Sequence, residues 1–467
     1  MLCLAADSVP ECRVKQFLEI SMNVYALTLM ACLWVFTQHA QAASDRAVTS
    51  QAGQGFLLAV IPDTQNMIDY ENQRGEGFVL DGVLQFHQQM DTLASWQQRT
   101  GRPLAFVVGV GDVWQHQSKV IDQAHVQRGV SAIENPVFNF PGRVSQRVLD
   151  EEIPAAVEGY RKLAAAGIPF GVLPGNHDYD AMWSAAGFPP DLSIPGGELK
   201  RLPEQMGMIH VGGLDNFRSA FGSSGEFFRD KSWYVSSFAG GSSSAQVFSA
   251  AGYQFLHLAL EMQPSDAVVA WALEVIDQHQ GMPAIVSTHD YLNTEGARLP
   301  NPILDLARAD PEGHNSAEDL WKELISQRDE IFLVLCGHQH GQGRRVDLNV
   351  NGYEVHQVLA NYQSRGQSAL DAGAARSAGS GRPPGVGDGW FRLMDFNLAS
   401  EQPYVEVKTY SSHYQAYASE LKDYARWYQP QEQPQLSEAA YRARDTFRLA
   451  LPDFRQRFGL PSPFAKP

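Results

Sequence analysis

Five short polar motifs follow one another along the chain, each placed where an apolar run ends. They are Asp63-Thr64-Gln65, Gly111-Asp112, Gly175-Asn176-His177-Asp178, His289 and Gly337-His338-Gln339-His340. Carboxylates, amides and imidazoles are the donors that divalent cations such as Zn, Mn or Fe accept. Their number suits two adjacent ions rather than one. In Asp63-Thr64-Gln65 and His338-Gln339-His340 the i, i+2 spacing aims two donors the same way if the backbone is extended. No cysteine lies in a pair with zinc-ligand spacing, which excludes a thiolate site. Singly, each motif has a plainer reading. A lone Gly-Asp is ordinarily a turn, Asn176 and Asp178 can each stabilise a turn through side-chain to backbone bonds, and a lone His289 is ordinarily a hydrogen-bonded core residue. Order, ligand count and strand-end placement together point to metal. His87, His116, His257, His314 and His356 have no such company and are assigned to structure. Trp114 and Trp390 can line a pocket, but core packing is the expectation for both.

Strands must carry these motifs. Residues 55–61, 104–110 and 169–173 are apolar runs stopped by Pro62, Gly111 and Pro174, and residues 284–287 and 331–335 precede His289 and Gly337. Continuous runs of this kind belong to strands buried on both faces. Further strands are predicted over 253–260, 353–359 and 390–396. Helical periodicity covers 82–99, with Val83, Leu84, Phe86, Met90, Leu93 and Trp96 on one side, and also 154–166, 267–279 and 317–327. Strands alternating with helices predict an α/β domain of packed layers over 55–415. Insertions are expected near 116–160, at 179–250 as a long Gly/Pro/Ser-rich surface excursion, and at 366–389 as a loop. The remaining segment, 416–467, reads as a linker and helical tail. Its Gln/Pro-rich stretch, 429–435, leads to a helix predicted from Ser437, with Ala440, Ala443, Phe447, Leu451, Phe454 and Phe458 on one side and a kink at Pro452. Arg442, Arg444, Arg448, Arg455 and Arg457 decorate it. Such a stripe docks on its own domain, an anionic membrane surface being the alternative.

A net charge of −16 repels polyanions, and no basic cluster is interleaved with aromatics, so nucleic acid is not the expected partner. The run from Met22 to Phe36 is apolar and Ala40-Gln41-Ala42 is a small-residue cleavage site, so residues 1–42 read as an export signal with the true start at Met22. A membrane anchor is the alternative, but the run is short for a span. A lipoprotein reading at Cys32 is disfavoured because apolar residues continue past it. Cleavage leaves Cys336 as the only cysteine, so no internal disulfide can form, and it places the protein in the periplasm or outside the cell.

The ordered motifs resemble those of the calcineurin-like metallophosphoesterase superfamily, whose pattern is D-x-H, G-D, G-N-H-[DE], H and G-H-x-H. The resemblance runs from about Phe56 to about Phe396 and rests on the motifs rather than the spacers. It implies two packed mixed β-sheets flanked by helices, a four-layer α/β/β/α sandwich. It implies one cation on Asp63, Gln65, Asp112 and His340 and a second on Asp112, Asn176, His289 and His338, Asp112 bridging, with Mn, Fe or Zn all suitable. The expected activity is hydrolysis of a small phosphate mono- or diester by a hydroxide bridging the two ions. Asn176 and His177 would share the developing charge, and His177 would protonate the leaving oxygen. Two positions depart from the pattern. Gln65 replaces the usual histidine, as in a variant branch with P-D-T-Q, and a neutral amide oxygen is a weaker ligand. Gln115 stands where many relatives have Asp, Asn or Tyr. Lack of the tyrosine argues against a purple acid phosphatase, and lack of the aspartate removes a carboxylate that often orients the catalytic histidine. These two glutamines keep open a non-catalytic envelope binding protein on the same scaffold.

Overall fold

The apolar runs that precede the motifs are strands. The computed structural model describes residues 55–138, 143–194, 201–310 and 312–462, all within one unit, Ala47–Pro467. The export signal expected over 1–42 lies outside the described residues. In chain order the strands are β1 (Phe56–Ile61), β2 (Leu104–Gly109), β3 (Ala132–Ile133), β4 (Phe170–Val172), β5 (Ala181–Ala185), β6 (Ile209–Gly212), β7 (Tyr234–Phe238), β8 (Ser243–Ala250) and β9 (Tyr253–Ala259). They continue with β10 (Ala284–Ser287), β11 (Ile331–Cys336), β12 (Gly341–Leu348), β13 (Glu354–Asn361), β14 (Trp390–Asn397), β15 (Tyr404–Ser411), β16 (Ala416–Tyr417) and β17 (Phe447–Ala450).

These strands build a mixed α/β fold. One seven-stranded sheet runs β16-β15-β14-β1-β2-β4, with β17 also paired to β15, and a second runs β12-β13-β11-β10-β9-β8-β7. A smaller sheet runs β3-β5-β6. In the first large sheet β1, β2 and β4 are parallel neighbours. In the second, β9, β10, β11 and β13 are parallel. Parallel neighbours end on the same side of their sheet, so the loops that follow them emerge together.

Period-two alternation divides each buried strand between two cores. Phe56, Leu58 and Val60 of β1 pack with Phe255, Ile285, Leu333 and Leu335 of the second large sheet. Leu57, Ala59 and Ile61 face the opposite way, onto Phe86, Met90 and Leu93 of helix Gly82–Ala94 and Tyr160 and Leu163 of helix Ile153–Ala165. Phe56 and Phe396 are register partners across β1 and β14, and their rings stack with centroids 4.6 Å apart. The far side of the second sheet is covered by Val268, Ala272 and Ile276 of helix Asp266–Gln278 and by Leu320 of helix Ala317–Glu323. No helix among the described residues is long and apolar enough to cross a membrane.

Three expectations are corrected. The helix expected over 82–99 is two, Gly82–Ala94 and Trp96–Thr100, because the Ser95 hydroxyl donates to the Asp91 carbonyl at 2.7 Å at the break. Far from being a surface excursion, 179–250 contributes β5 and β6 to the small sheet and β7 and β8 to the second large one. Strand β8 was concealed by its serines and glutamine, which are buried and paired: Gln246 donates to Ser244 and meets His257. Among the described residues the tail is helical only at Tyr424–Glu432, Glu438–Arg442 and Phe454–Phe458, and Phe447–Ala450 is strand β17, antiparallel to β15. There the period is two rather than 3.6: Phe447 and Leu449 are buried and Arg448 is exposed. The tail arginines cap carbonyls, Arg455 those of Leu398 and Ala399 and Arg457 those of Ile331 and Glu354.

His257 is the most demanding polar group in the core. It is fully buried on β9, with Nδ1 2.7 Å from Gln246 Oε1 and Nε2 2.7 Å from Ser287 Oγ. Burial pushes its pKa down to about 3, whereas the unfolded chain protonates an ordinary histidine near 6.5. The folded pKa is depressed, so the neutral ring's stability is whole above about 6.5 and is lost as pH falls toward about 3, at about 1.4 kcal/mol per pH unit. Urea unfolding of wild type and His257→Gln from pH 7 to 4 checks this. The stability gap between them is expected to shift against wild type by that slope, and a pH-independent gap contradicts it.

Candidate metal centre

The motif residues gather at the strand ends. Asp63 follows β1, Asp112 follows β2, Asn176 follows β4, His289 follows β10 and His338 follows β11. Asp63, Gln65, Asp112, Asn176 and His289 are all buried. Their approach is close enough to require glycine beside them. A Cβ on Gly111 would lie 2.6 Å from His289 Nδ1, one on Gly175 2.3 Å from Asp112 Oδ1, and one on Gly337 2.3 Å from Asp63 Oδ1. Asp112 and His338 themselves have left-handed backbones, with φ of 50° and 64°. Such conformations cost energy and are held in place by their surroundings.

The central group is Asp112, Asn176, His289 and His338. His289 Nδ1 lies 2.8 Å from the Val110 carbonyl, so that nitrogen carries the proton and donates it. Nε2 then presents a lone pair, and it faces Asp112 Oδ1 at 3.3 Å, Asn176 Oδ1 at 3.2 Å and His338 Nδ1 at 3.2 Å. Acceptors converging in this way repel unless a proton or a metal cation sits among them. The electrostatics agree. Burial alone would lower the His289 pKa, but the Asp112 and Asp63 carboxylates push it up to about 10. Burial, against the charge of His289 and with that of Asp112, keeps the Asp63 carboxyl well above its usual range.

The other expected position is less complete. Gln65 Nε2 donates to Asp112 Oδ2 at 3.0 Å, and Gln65 Oε1 is buried without a hydrogen-bond partner. An orphaned amide oxygen beside a carboxylate is a donor set that a hard cation satisfies. Asp63 accepts the His338 N–H at 3.0 Å and the Asn361 side-chain N–H at 2.6 Å. His340 is turned away, with Nε2 2.6 Å from Gln363 Nε2 and Nδ1 2.7 Å from Ser364 Oγ. It can reach an ion beside Asp63 only by leaving those partners. His338 also needs an adjustment. The Asn301 oxygen accepts the Ile303 and Leu304 N–H groups, which turns its amide nitrogen toward His338 Nε2 at 2.9 Å. A cation on His338 Nδ1 therefore requires the ring proton to sit on Nε2 and Asn301 to re-pair.

His177 is held by two bonds. Its N–H donates to Asp112 Oδ1 at 2.9 Å, and its Nδ1 donates to the Gln115 carbonyl at 2.8 Å. The orienting group is therefore a backbone oxygen, which the identity of residue 115 does not reveal. Burial, against the Asp112 charge and helped by that of Arg143, lowers the His177 pKa. Asp178 serves the loop rather than the ring, accepting N–H bonds from Val113 at 2.8 Å and Gly175 at 2.8 Å. Beside the centre a cleft of about 510 Å³ is lined by His338, His340, Asn301, Ser364, Arg382 and Glu432. Trp114 and Trp390 are buried among aromatic side chains, Trp114 against Phe217 and Phe221, and Trp390 against Tyr424 and Tyr428.

Sequence reasoning did not single out Asn301, Asn361, Gln363 or Ser364. Asn361 closes β13 at the same sheet edge as the motifs, and a polar residue ending an apolar strand was the available signal.

The chain matches no protein-family model. It is similar to the uncharacterized protein YvnB of Bacillus subtilis (strain 168), 27% identical over 257 residues, which cover 53% of this chain and 15% of YvnB. The match thus spans a small part of that relative's length.

Asn361 tests the geometry around Asp63. Asn361→Leu removes its donors to Asp63 and to the His338 carbonyl, and is expected to cost about 1–3 kcal/mol by urea denaturation. Metal affinity is expected to fall about 10- to 100-fold by competition with a chelator. Unchanged affinity would detach Asp63 from the metal centre.

Proposed function

We propose that this chain is an exported, dinuclear-metal-dependent phosphoesterase built on the calcineurin-like metallophosphoesterase plan. The observation that carries this reading is the convergence of Asp112 Oδ1, Asn176 Oδ1 and His289 Nε2, acceptors that a cation would join, with His338 Nδ1 beside them. Two further features support it. The large sheets share one apolar core, as the two inner layers of the expected four-layer sandwich would. The motif loops also follow parallel strands, where open sheets ordinarily place ligand sites.

The donor set fits divalent Mn, Fe or Zn. When bound, such a pair supplies Lewis acidity toward a phosphoryl oxygen and lowers the pKa of a nearby water. The residues do the rest by position. Asp112 lies between Gln65 and His289, so one carboxylate can serve both ion positions. Asn176 and His177 occupy one buried turn tied to Asp112 and offer polar groups to the equatorial oxygens of a phosphate. His177, with its Nδ1 proton committed to Gln115, has Nε2 as its reactive nitrogen. To protonate a leaving oxygen, that nitrogen must first take up a proton, which an anionic ester beside it favours. A small phosphate ester is the substrate class this arrangement suits.

The test is turnover of nitrophenyl phosphate and bis(nitrophenyl) phosphate after Mn or Zn reconstitution, with bound metal counted by elemental analysis. Two ions per chain and turnover of at least one ester are expected, with kcat reduced at least about 10²-fold in Asp112→Asn. Two bound ions without turnover of either ester would instead make the chain a binding protein on this scaffold.

A general acid must be protonated, so activity that depends on His177 falls as pH rises through its pKa in the complex. His177→Asn is expected to lower kcat about 10²- to 10⁴-fold and to flatten that alkaline limb. A normal kcat with an unchanged limb removes the acid role.

A further inference from the structure

We infer that the protein carries a second, mononuclear metal site, made of His125, His210 and Asp310, none of which belongs to the Asp112 centre. Three elements distant in sequence meet there. His125 lies on the short helix Gln123–Gln127, His210 on β6, and Asp310 and His314 in the segment that follows helix Leu306–Ala309. His125, His210 and Asp310 are buried, and His314 is half-buried.

His210 Nδ1 lies 2.8 Å from the Val211 carbonyl, His314 Nδ1 lies 2.8 Å from the Gln263 carbonyl, and His125 Nδ1 is in close contact with Asp122 Oδ2. Each Nδ1 faces an oxygen acceptor, so each neutral ring carries its lone pair on Nε2. The Nε2 atoms of His125 and His210 lie 3.0 Å and 3.1 Å from one atom, Asp310 Oδ2, and that of His314 lies farther off, at 3.9 Å. Bonds of about 2.0–2.1 Å to a tetrahedral zinc separate its ligands by about 3.3 Å. The observed separations bracket that value. Histidines whose other nitrogen is held by a carboxylate or a carbonyl are the arrangement metal sites use to fix the ring.

Protons alone would have to make imidazolium ions of neighbouring rings, and those of His125 and His210 have centroids only 4.7 Å apart. The charges around the group include Asp122, whose other oxygen caps the helix by accepting the Ala124 N–H, Arg128, and Glu261 on the His314 side. Arg128 lies 3.6 Å from Asp310 Oδ2 and is bound at 2.7 Å by Glu312. A single divalent ion resolves the convergence. Gly212 fits the same account, because a Cβ there would lie 2.0 Å from Asp122 Oδ2 and 2.6 Å from His125 Nδ1.

Three protein donors, two imidazoles and a carboxylate, suit zinc, with a fourth position left to water or to the more distant His314. The ion would staple the 122–127 insertion and the small sheet to Asp310.

The test starts from Asp112→Asn/His289→Asn, which disables the other centre, in the full-length chain. After exposure to zinc and desalting, elemental analysis is expected to find one equivalent, and none when His125→Gln and His210→Gln are added. Circular dichroism checks that each variant is folded. A folded Asp112→Asn/His289→Asn chain that retains no zinc overturns the proposal, as does zinc retained after both histidine changes. A second readout uses wild type. Trp183 stacks on His210 with centroids 4.6 Å apart, so Co(II) is expected to quench a fluorescence component that Trp183→Phe abolishes. Absence of that quenching also overturns the proposal.

Discussion

The structure depends on one electrostatic constraint: several lone pairs are buried together, and a positive charge, a proton or a metal ion, must sit among them. Around His289 Nε2, the oxygens of Asp112 and Asn176 and a nitrogen of His338 lie at hydrogen-bond distance, while the Nδ1 proton of His289 is committed to Val110. Buried acceptors left facing one another cost several kcal/mol in a protein interior unless a positive charge joins them. On the proposed reading a metal cation supplies that charge.

Everything else serves to bring those atoms together. Two sheets with apolar inner faces form a rigid base, and their parallel strands deliver the loops to one edge. Gly111, Gly175 and Gly337 permit the approach, because any side chain there would collide with His289, Asp112 or Asp63. The left-handed backbones of Asp112 and His338 are retained by hydrogen bonds that close the loops, from His177 N–H to Asp112 and from His338 N–H to Asp63. Ligand geometry and backbone strain are thus two aspects of the same packing.

Much of this was legible in the sequence, for definite reasons. Strands β1, β2, β10 and β11 are buried on both faces and read as uninterrupted apolar runs, and the motifs stand at their ends. Strand β8 was hidden because Ser243, Ser244 and Gln246 are buried as hydrogen-bonding partners, which composition scores as loop. Strand β17 was hidden because Phe447, Leu451, Phe454 and Phe458 also fit a helical spacing, and only pairing with β15 selects the strand. The central ligand group was readable as motifs. The engagement of His340 with Gln363 and Ser364, and of His177 with the Gln115 carbonyl, was not, because those contacts depend on loop conformation rather than residue type. The His125, His210 and Asp310 group has no local signature, since His125 and Asp310 lie 185 residues apart.

The most direct measurement is anomalous X-ray diffraction from crystals grown with zinc or manganese, recorded on both sides of the metal absorption edge. The account predicts two anomalous peaks flanking the Asp112 carboxylate, one of them within bonding distance of His289 Nε2 and Asn176 Oδ1. A map with no peak there, and with His289 still touching Asp112, Asn176 and His338 directly, would contradict it.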